Sequence, residues 1–191
     1  MWRKNDSTRW SQLFDDLDAQ SVALTAAEDR GEVAERTRIE TSQLRLTDRL
    51  RPALGHEVGV RCLGAGQLRG RLDGVGVDWL QLTELSSDRA LVPLGAVVAV
   101  SGLSRWSAGD DGELGRRLGF RSVLRRLGRD RAPVRLVLAD GSSLAGTVDR
   151  VGADFLELAE HPLDEPRRAG AVLRVWTLPL TGIAVVRRPT R

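Results

Sequence analysis

The chain has 191 residues, 41% of them hydrophobic and 29% charged, with a formal net charge of +3. That is enough apolar material for one domain or two small ones, and it excludes a wholly disordered polyelectrolyte. The isoelectric point near 10.2 overstates the basicity, because the chain has no tyrosine and Lys4 is its only lysine, so little buffers the alkaline range below arginine.

Three features bear on compartment. Cys62 is the single cysteine, which excludes an internal disulfide and suits a reducing environment. The longest apolar run, "ALVPLGAVVAV", is too short to span a bilayer. The opening "MWRKNDSTRW" lacks the apolar stretch of a secretory signal. The expectation is a soluble cytoplasmic protein.

Residues 1–54 read as a long N-terminal helical segment. Asp6, Ser7 and Thr8 offer N-caps, and Trp10, Leu13, Phe14, Leu17 and Leu24 form an apolar stripe at helical spacing. Glu32 and Arg36 make an i,i+4 pair, Gly31 can bend the helix, and Pro52 closes it. A continuous helix from Ser7 to Leu50 would be roughly 65 Å long at 1.5 Å per residue, against about 17–20 Å for a short strand. It therefore folds as a helix hairpin over the two copies, docks on a partner or a second copy of the chain, or is a frayed terminus. In the docking case Trp10, Leu13, Phe14 and Leu17 are the partner-docking residues, on another protein or in a homodimer.

Residues 55–103 and 133–191 carry strand patterns, and they are copies of each other. At a constant offset of 76 residues Val58 falls on Val134, Val60 on Leu136, Cys62 on Leu138, Leu68 on Leu144, Gly70 on Gly146 and Leu72 on Val148. "DGVGVDWLQLTE" (Asp73 to Glu84) then matches "DRVGADFLELAE" (Asp149 to Glu160). After an insertion in the second copy, "LVPLGAVVAV" (Leu91 to Val100) matches "TLPLTGIAVV" (Thr177 to Val186). Agreement of this length marks a duplication. Within a copy, "VRLVL" alternates at period two and "ADGS" supplies a tight turn. "SLAGTVDRV" continues the alternation, with Gly146 at a bend or bulge where two backbones approach. "DFLELAE", "VLRVWTLP" and "GIAVVRR" complete five strands. Five short bent strands hide their apolar face by curling into a small barrel.

Between the copies, residues 104–132 begin as a loop and become a short helix. Phe120, Val123, Leu124 and Leu127 share one face, to sit over the end of the second barrel. Arg117, Arg121, Arg125 and Arg129 line up at i+4 steps on another face. Such a row either tracks phosphates or is a solvated face in a chain whose usual cation is arginine.

The stretch "VRLVLADGSSLAGTVDRVGADFLEL" with "TLPLTGIAVV" resembles the Sm-like small-barrel superfamily, including the C-terminal barrel of bacterial ribosome maturation factors. The resemblance extends more weakly to the first copy. It implies two tandem five-stranded Sm-like barrels and, by analogy, RNA as a ligand. RNA-binding members of the superfamily use an Asp and an Asn near the third strand, and a basic-glycine element later. "VGADFLEL" lacks the Asn, and "LPLTGI" and "VPLGAV" lack the basic-glycine element, so no pocket residues are carried over.

His56, His161 and Cys62 form no ligand spacing for a metal, and Cys62 sits in the core register of Leu138. "GAGQLRG" leads into a strand, where a phosphate-cradling loop needs a helix. Asp73/Asp149 and Asp78/Asp154 bracket the same turn twice, which suits turn chemistry. No nucleophile with a base and no cofactor fingerprint is visible. The expectation is a non-enzymatic protein without cofactor or metal. It is an RNA-binding or translation-associated regulator acting through Arg117, Arg121, Arg125 and Arg129, with Arg187, Arg188 and Arg191 as auxiliaries, or alternatively a protein-interaction adaptor.

Overall fold

The computed structural model describes residues 41–104, 118–163 and 172–188. The chain divides into two units, Met1–Leu44 and Arg45–Arg191. Of the first unit only residues 41–44 are described, so the expected long helix up to residue 40, with Trp10, Leu13, Phe14 and Leu17, lies outside the described residues, as does Arg117.

The second unit opens with helix α1 (Leu46–Leu50) and a 3-10 turn, Arg51–Ala53. The Arg45 N–H donates to the Asp48 carboxylate at 2.9 Å, closing the first turn of α1. Ten strands follow. The first five are β1 (Glu57–Cys62), β2 (Gly66–Val75), β3 (Trp79–Glu84), β4 (Arg89–Pro93) and β5 (Val97–Ser101). After helix α2 (Phe120–Arg129) come β6 (Pro133–Leu138), β7 (Ser143–Val151), β8 (Phe155–Glu160), β9 (Arg174–Pro179) and β10 (Ile183–Arg188).

These strands do not close into the two five-stranded barrels expected from the sequence. They form one open antiparallel sheet in the order β5-β1-β2-β3-β4-β10-β6-β7-β8-β9. A closed barrel would need β4 to return to β5. Instead β10 takes the outer edge of β4, with Val186 opposite Leu91, Arg187 opposite Ala90 and Arg188 opposite Arg89. Strand β4 thus takes from the second half the hydrogen-bonding neighbour that β5 would have given it, and β10 takes from the first half the neighbour that β9 would have given it.

The duplication is legible in the register. Val58 pairs with Gly70 and Val134 with Gly146. Leu72 opposes Leu82 as Val148 opposes Leu158, and each pair is followed by a bulge, between Leu72 and Gly74 and between Val148 and Arg150. The bulge explains the burial pattern of β2, where Leu68, Gly70 and Leu72 face inward at period two and Val75 then resumes the inner face one residue out of phase. Gly70 and Gly146 lie two residues or more before the bulge. Each is a site of close approach, since a Cβ there would run into the carbonyl of Thr83 or of Ala159.

The repeated Gly-x-x-aromatic step has an equally local cause. A Cβ on Gly76 would overlap the Trp79 indole, and one on Gly152 the Phe155 ring. The turn "ADGS" is closed by Gly141 at φ 89 and by Asp140, whose Oδ1 accepts from the Ser142 N–H and hydroxyl at 2.9 and 2.6 Å.

Two apolar clusters form the core, and each crosses the seam between the halves. The first holds Val58, Val60, Leu68, Leu72, Leu80 and Leu82 together with Val137, Ala184 and Val185 of the second half. The other holds Phe120, Leu124, Val134, Leu136, Leu156 and Leu158 together with Leu91 of the first half. Alternation within one half cannot produce that sharing. It follows from β4 lying beside β10.

Candidate nucleic-acid interface

Helix α2 is anchored from the first half at its N-terminal end. The Phe120 N–H donates to Asp78 Oδ1 at 2.7 Å, and the Trp79 indole N–H donates to the Leu118 carbonyl at 2.7 Å. An acidic oxygen on the first-turn amides satisfies an orphan donor and opposes the helix dipole favourably. Asp78 therefore does more than shape its own turn. Its counterpart Asp154 shares only the backbone role, its carbonyl accepting from Leu180 as that of Asp78 accepts from Leu94.

The apolar face of α2 lies as its spacing predicts. Phe120 and Leu124 are buried, and Val123 and Leu127 pack against the same cluster. Gly128 lets the last turn approach β7, where an added Cβ would meet the Val148 carbonyl at 3.3 Å. The opposite face carries Arg121, Arg125, Arg126 and Arg129, all exposed.

Between this helix and strands β7 and β8 lies a cleft of about 920 Å³, lined by Arg125, Arg129, Arg131, Arg150 and by Asp149 and Glu157. Ser122 contributes a hydroxyl at its wall. Four arginines and two acidic residues thus line it, and one of the latter, Glu157, stands 3.6 Å from the Arg150 Nε, the arginine exposed and the glutamate partly buried. A pair this open to solvent on its arginine side contributes little to stability.

Of the residues expected on the arginine row, Arg125 and Arg129 meet in this cleft. Arg121 points elsewhere, its guanidinium 3.5 Å from the Ala153 carbonyl. Arg187 is held on the Glu84 carboxylate by two hydrogen bonds of 2.8 and 3.3 Å across the seam. The Glu84 carboxylate, accepting those bonds, pushes the guanidinium's pKa above its usual value against the opposing effect of burial. Arg188 is exposed at the end of β10, opposite Arg89, and Arg191 lies outside the described residues.

Arg131 and Arg150 were not singled out by sequence. Arg131 follows the helix in a left-handed conformation, φ 46, which folds the chain back toward the cleft. Arg150 had a visible signal in the repeat. The pair beside the bulge is Gly74 and Gln81 in the first copy but Arg150 and Glu157 in the second, so an opposed pair of charges stands beside one bulge and not the other.

Both histidines and Asp73 have structural partners. His161 is buried, its Nδ1 2.8 Å from the Pro162 carbonyl and its Nε2 2.8 Å from the Thr147 hydroxyl. His56 Nδ1 lies 3.1 Å from the Leu54 carbonyl. Asp73 accepts from the Thr83 hydroxyl and from the Arg71 Nε. Cys62 is buried, and desolvation pushes its thiol up to about 11, which removes the nucleophilic thiolate at neutral pH.

No family model matches the chain, and no curated protein matches it. Fold and register define it as a duplicated all-antiparallel sheet protein with an arginine-lined cleft on its second half. Among the described residues no helix is long and apolar enough to cross a membrane.

Proposed function

We propose that the protein is a non-enzymatic RNA-binding regulator that grips the phosphates of single-stranded RNA in the cleft between α2 and β7–β8. The cleft itself is the observation that carries this. Arg125 and Arg129 come from the helix, Arg131 from its exit and Arg150 from the β7 bulge, so three separate pieces of backbone deliver cations to one hollow. Guanidinium is the side-chain cation best matched to phosphate, by paired N–H donors and weak hydration. Asp149 and Glu157 on the same walls favour a ligand that brings donors beside its phosphate, as ribose hydroxyls do. The resemblance of the second repeat, and more weakly of the first, to the Sm-like superfamily is an argument by analogy in the same direction.

Phosphate-driven binding has a measurable signature. With four guanidiniums engaged, log affinity for a single-stranded RNA falls against log salt with a slope of about −3, a loss of about 50-fold between 50 and 200 mM. Arg125→Glu combined with Arg129→Glu is expected to abolish most binding at low salt, and Arg125→Ala with Arg129→Ala to flatten the slope by about 1.4. Wild-type binding that is absent at 50 mM salt, or indifferent to both double variants, contradicts the proposal.

A further inference from the structure

The duplication offers a comparison within one molecule. At the same register position beside the bulge, the first copy sets Gly74 opposite Gln81 and the second sets Arg150 opposite Glu157. In the first copy this place is occupied by a ring. A Cβ on Gly74 would already meet the Trp79 indole at 3.4 Å, and that indole is held by its hydrogen bond to the Leu118 carbonyl. The second copy has the smaller Phe155 in place of Trp79 and carries a long cation and a carboxylate beside its bulge. Helix α2 packs on β7 there, so the pair lines the same hollow as Arg125, Arg129 and Arg131.

Arg150 and Glu157 set donors beside a pair of acceptors. The Arg150 Nε stands 3.6 Å from Glu157 Oε2, an ion-pair distance beyond hydrogen-bond length. The Glu157 carboxylate is 27% exposed against 72% for Arg150, so its oxygens are partly withdrawn from water and gain from donors that a ligand brings. Among the bases, guanine presents the complementary row on its Watson–Crick edge: O6 as acceptor, then N1–H and the N2 amino group as donors. Uracil matches at O4 and N3–H but turns its O2 toward the carboxylate. Adenine offers a donor to the guanidinium and a lone pair to the carboxylate, so it mismatches at both. The hollow, at about 920 Å³, lies within the range of about 300–1,000 Å³ that small-ligand pockets span.

We propose that the cleft selects guanosine, taking one splayed-out guanine of a single-stranded RNA, with Arg150 donating to O6 and Glu157 accepting from N1–H and the N2 amino group. This rests on the phosphate-gripping reading of the same cleft and adds to it a preference among bases. Phosphate contacts hold every strand alike, whereas contacts to a base edge discriminate. A site built to accept hydrogen bonds rejects an analogue that lacks the donors, because its own polar atoms are then left unpaired. Arg125, Arg129 and Arg131 serve the phosphates, Glu157 the base, and Asp149 the ribose hydroxyls. The first copy, with Gly74 and Gln81, lacks this charge pair.

Short uridine strands carrying a single central guanosine, inosine or adenosine test this, each titrated at low salt against the full-length protein by fluorescence anisotropy. The guanosine strand is expected to bind about tenfold more tightly than the adenosine strand, with inosine, which lacks the N2 amino group, between them. Glu157→Gln exchanges one acceptor for a donor and is expected to erase the difference. Equal affinity for the three strands, with steep salt dependence retained, overturns the guanosine selectivity and leaves the phosphate reading standing. A guanosine preference that survives Glu157→Gln overturns it too, since the base is then read elsewhere. Should no strand bind, the RNA reading falls, and calorimetric titration with guanosine and adenosine monophosphate decides the selectivity by itself. Guanosine-selective binding that Glu157→Gln removes then supports it for a free nucleotide, and binding of neither or of both alike overturns it.

Discussion

Arg187 and Glu84 show how a single pair can decide between two readings of one residue. As a terminal arginine, Arg187 reads as a phosphate ligand. In the fold its guanidinium is 26% exposed and bonded to a carboxylate that is 16% exposed, across the line where the halves meet. Removing one partner from such a pair leaves the other charge poorly solvated. Arg187→Ala is therefore expected to lower unfolding stability by about 1–3 kcal/mol, measured by urea denaturation, while leaving the salt slope of RNA binding unchanged. A change in that slope with full stability would return Arg187 to the phosphate-binding set. Sequence alone could place both residues on strands but not opposite each other, because the pairing joins positions 103 apart. By the same limit Arg150 was readable only by comparing the two bulges.

At the scale of elements, the alternating strands, their turns and the apolar face of α2 were all legible. Each depends on side-chain periodicity or on a local φ requirement, and both are written in short stretches of sequence. What was hidden was the neighbour of each edge. Period two tells a strand which face to bury, but the row of N–H and C=O groups along its edge is the same for every sequence. The expectation of closure failed at this point, although "IAVV", apolar at four consecutive positions, carried the hint of a central strand. The helix anchor was hidden for a similar reason, since Asp78 and Phe120 come from different halves. Asp78→Ala is expected to cost about 1 kcal/mol through the lost helix-start bond. It should also weaken RNA binding several-fold without altering its salt slope, because the arginines remain but their helix is less well held. Titration at three salt concentrations distinguishes that outcome from a direct phosphate contact, which would lower the slope.

On the scale of the whole second unit, the two copies are welded rather than strung together. Each apolar cluster draws residues from both halves, and the Gly64 turn packs so closely on the turn at Leu138–Gly141 that no Cβ fits. Unfolding one half alone would expose Val137, Ala184 and Val185, or Leu91, from the cluster they complete. The halves are therefore expected to unfold as one cooperative unit. Native-state hydrogen exchange at low protein concentration tests this most directly, by comparing the amides of β4 and β10 with those of β1 and β6. Protection of Arg89–Val92 and Ile183–Arg188 equal to that of the central strands, lost in a single global opening, is the predicted result. Fast exchange along β4 and β10, with each half opening on its own, would contradict the continuous sheet on which the seam rests.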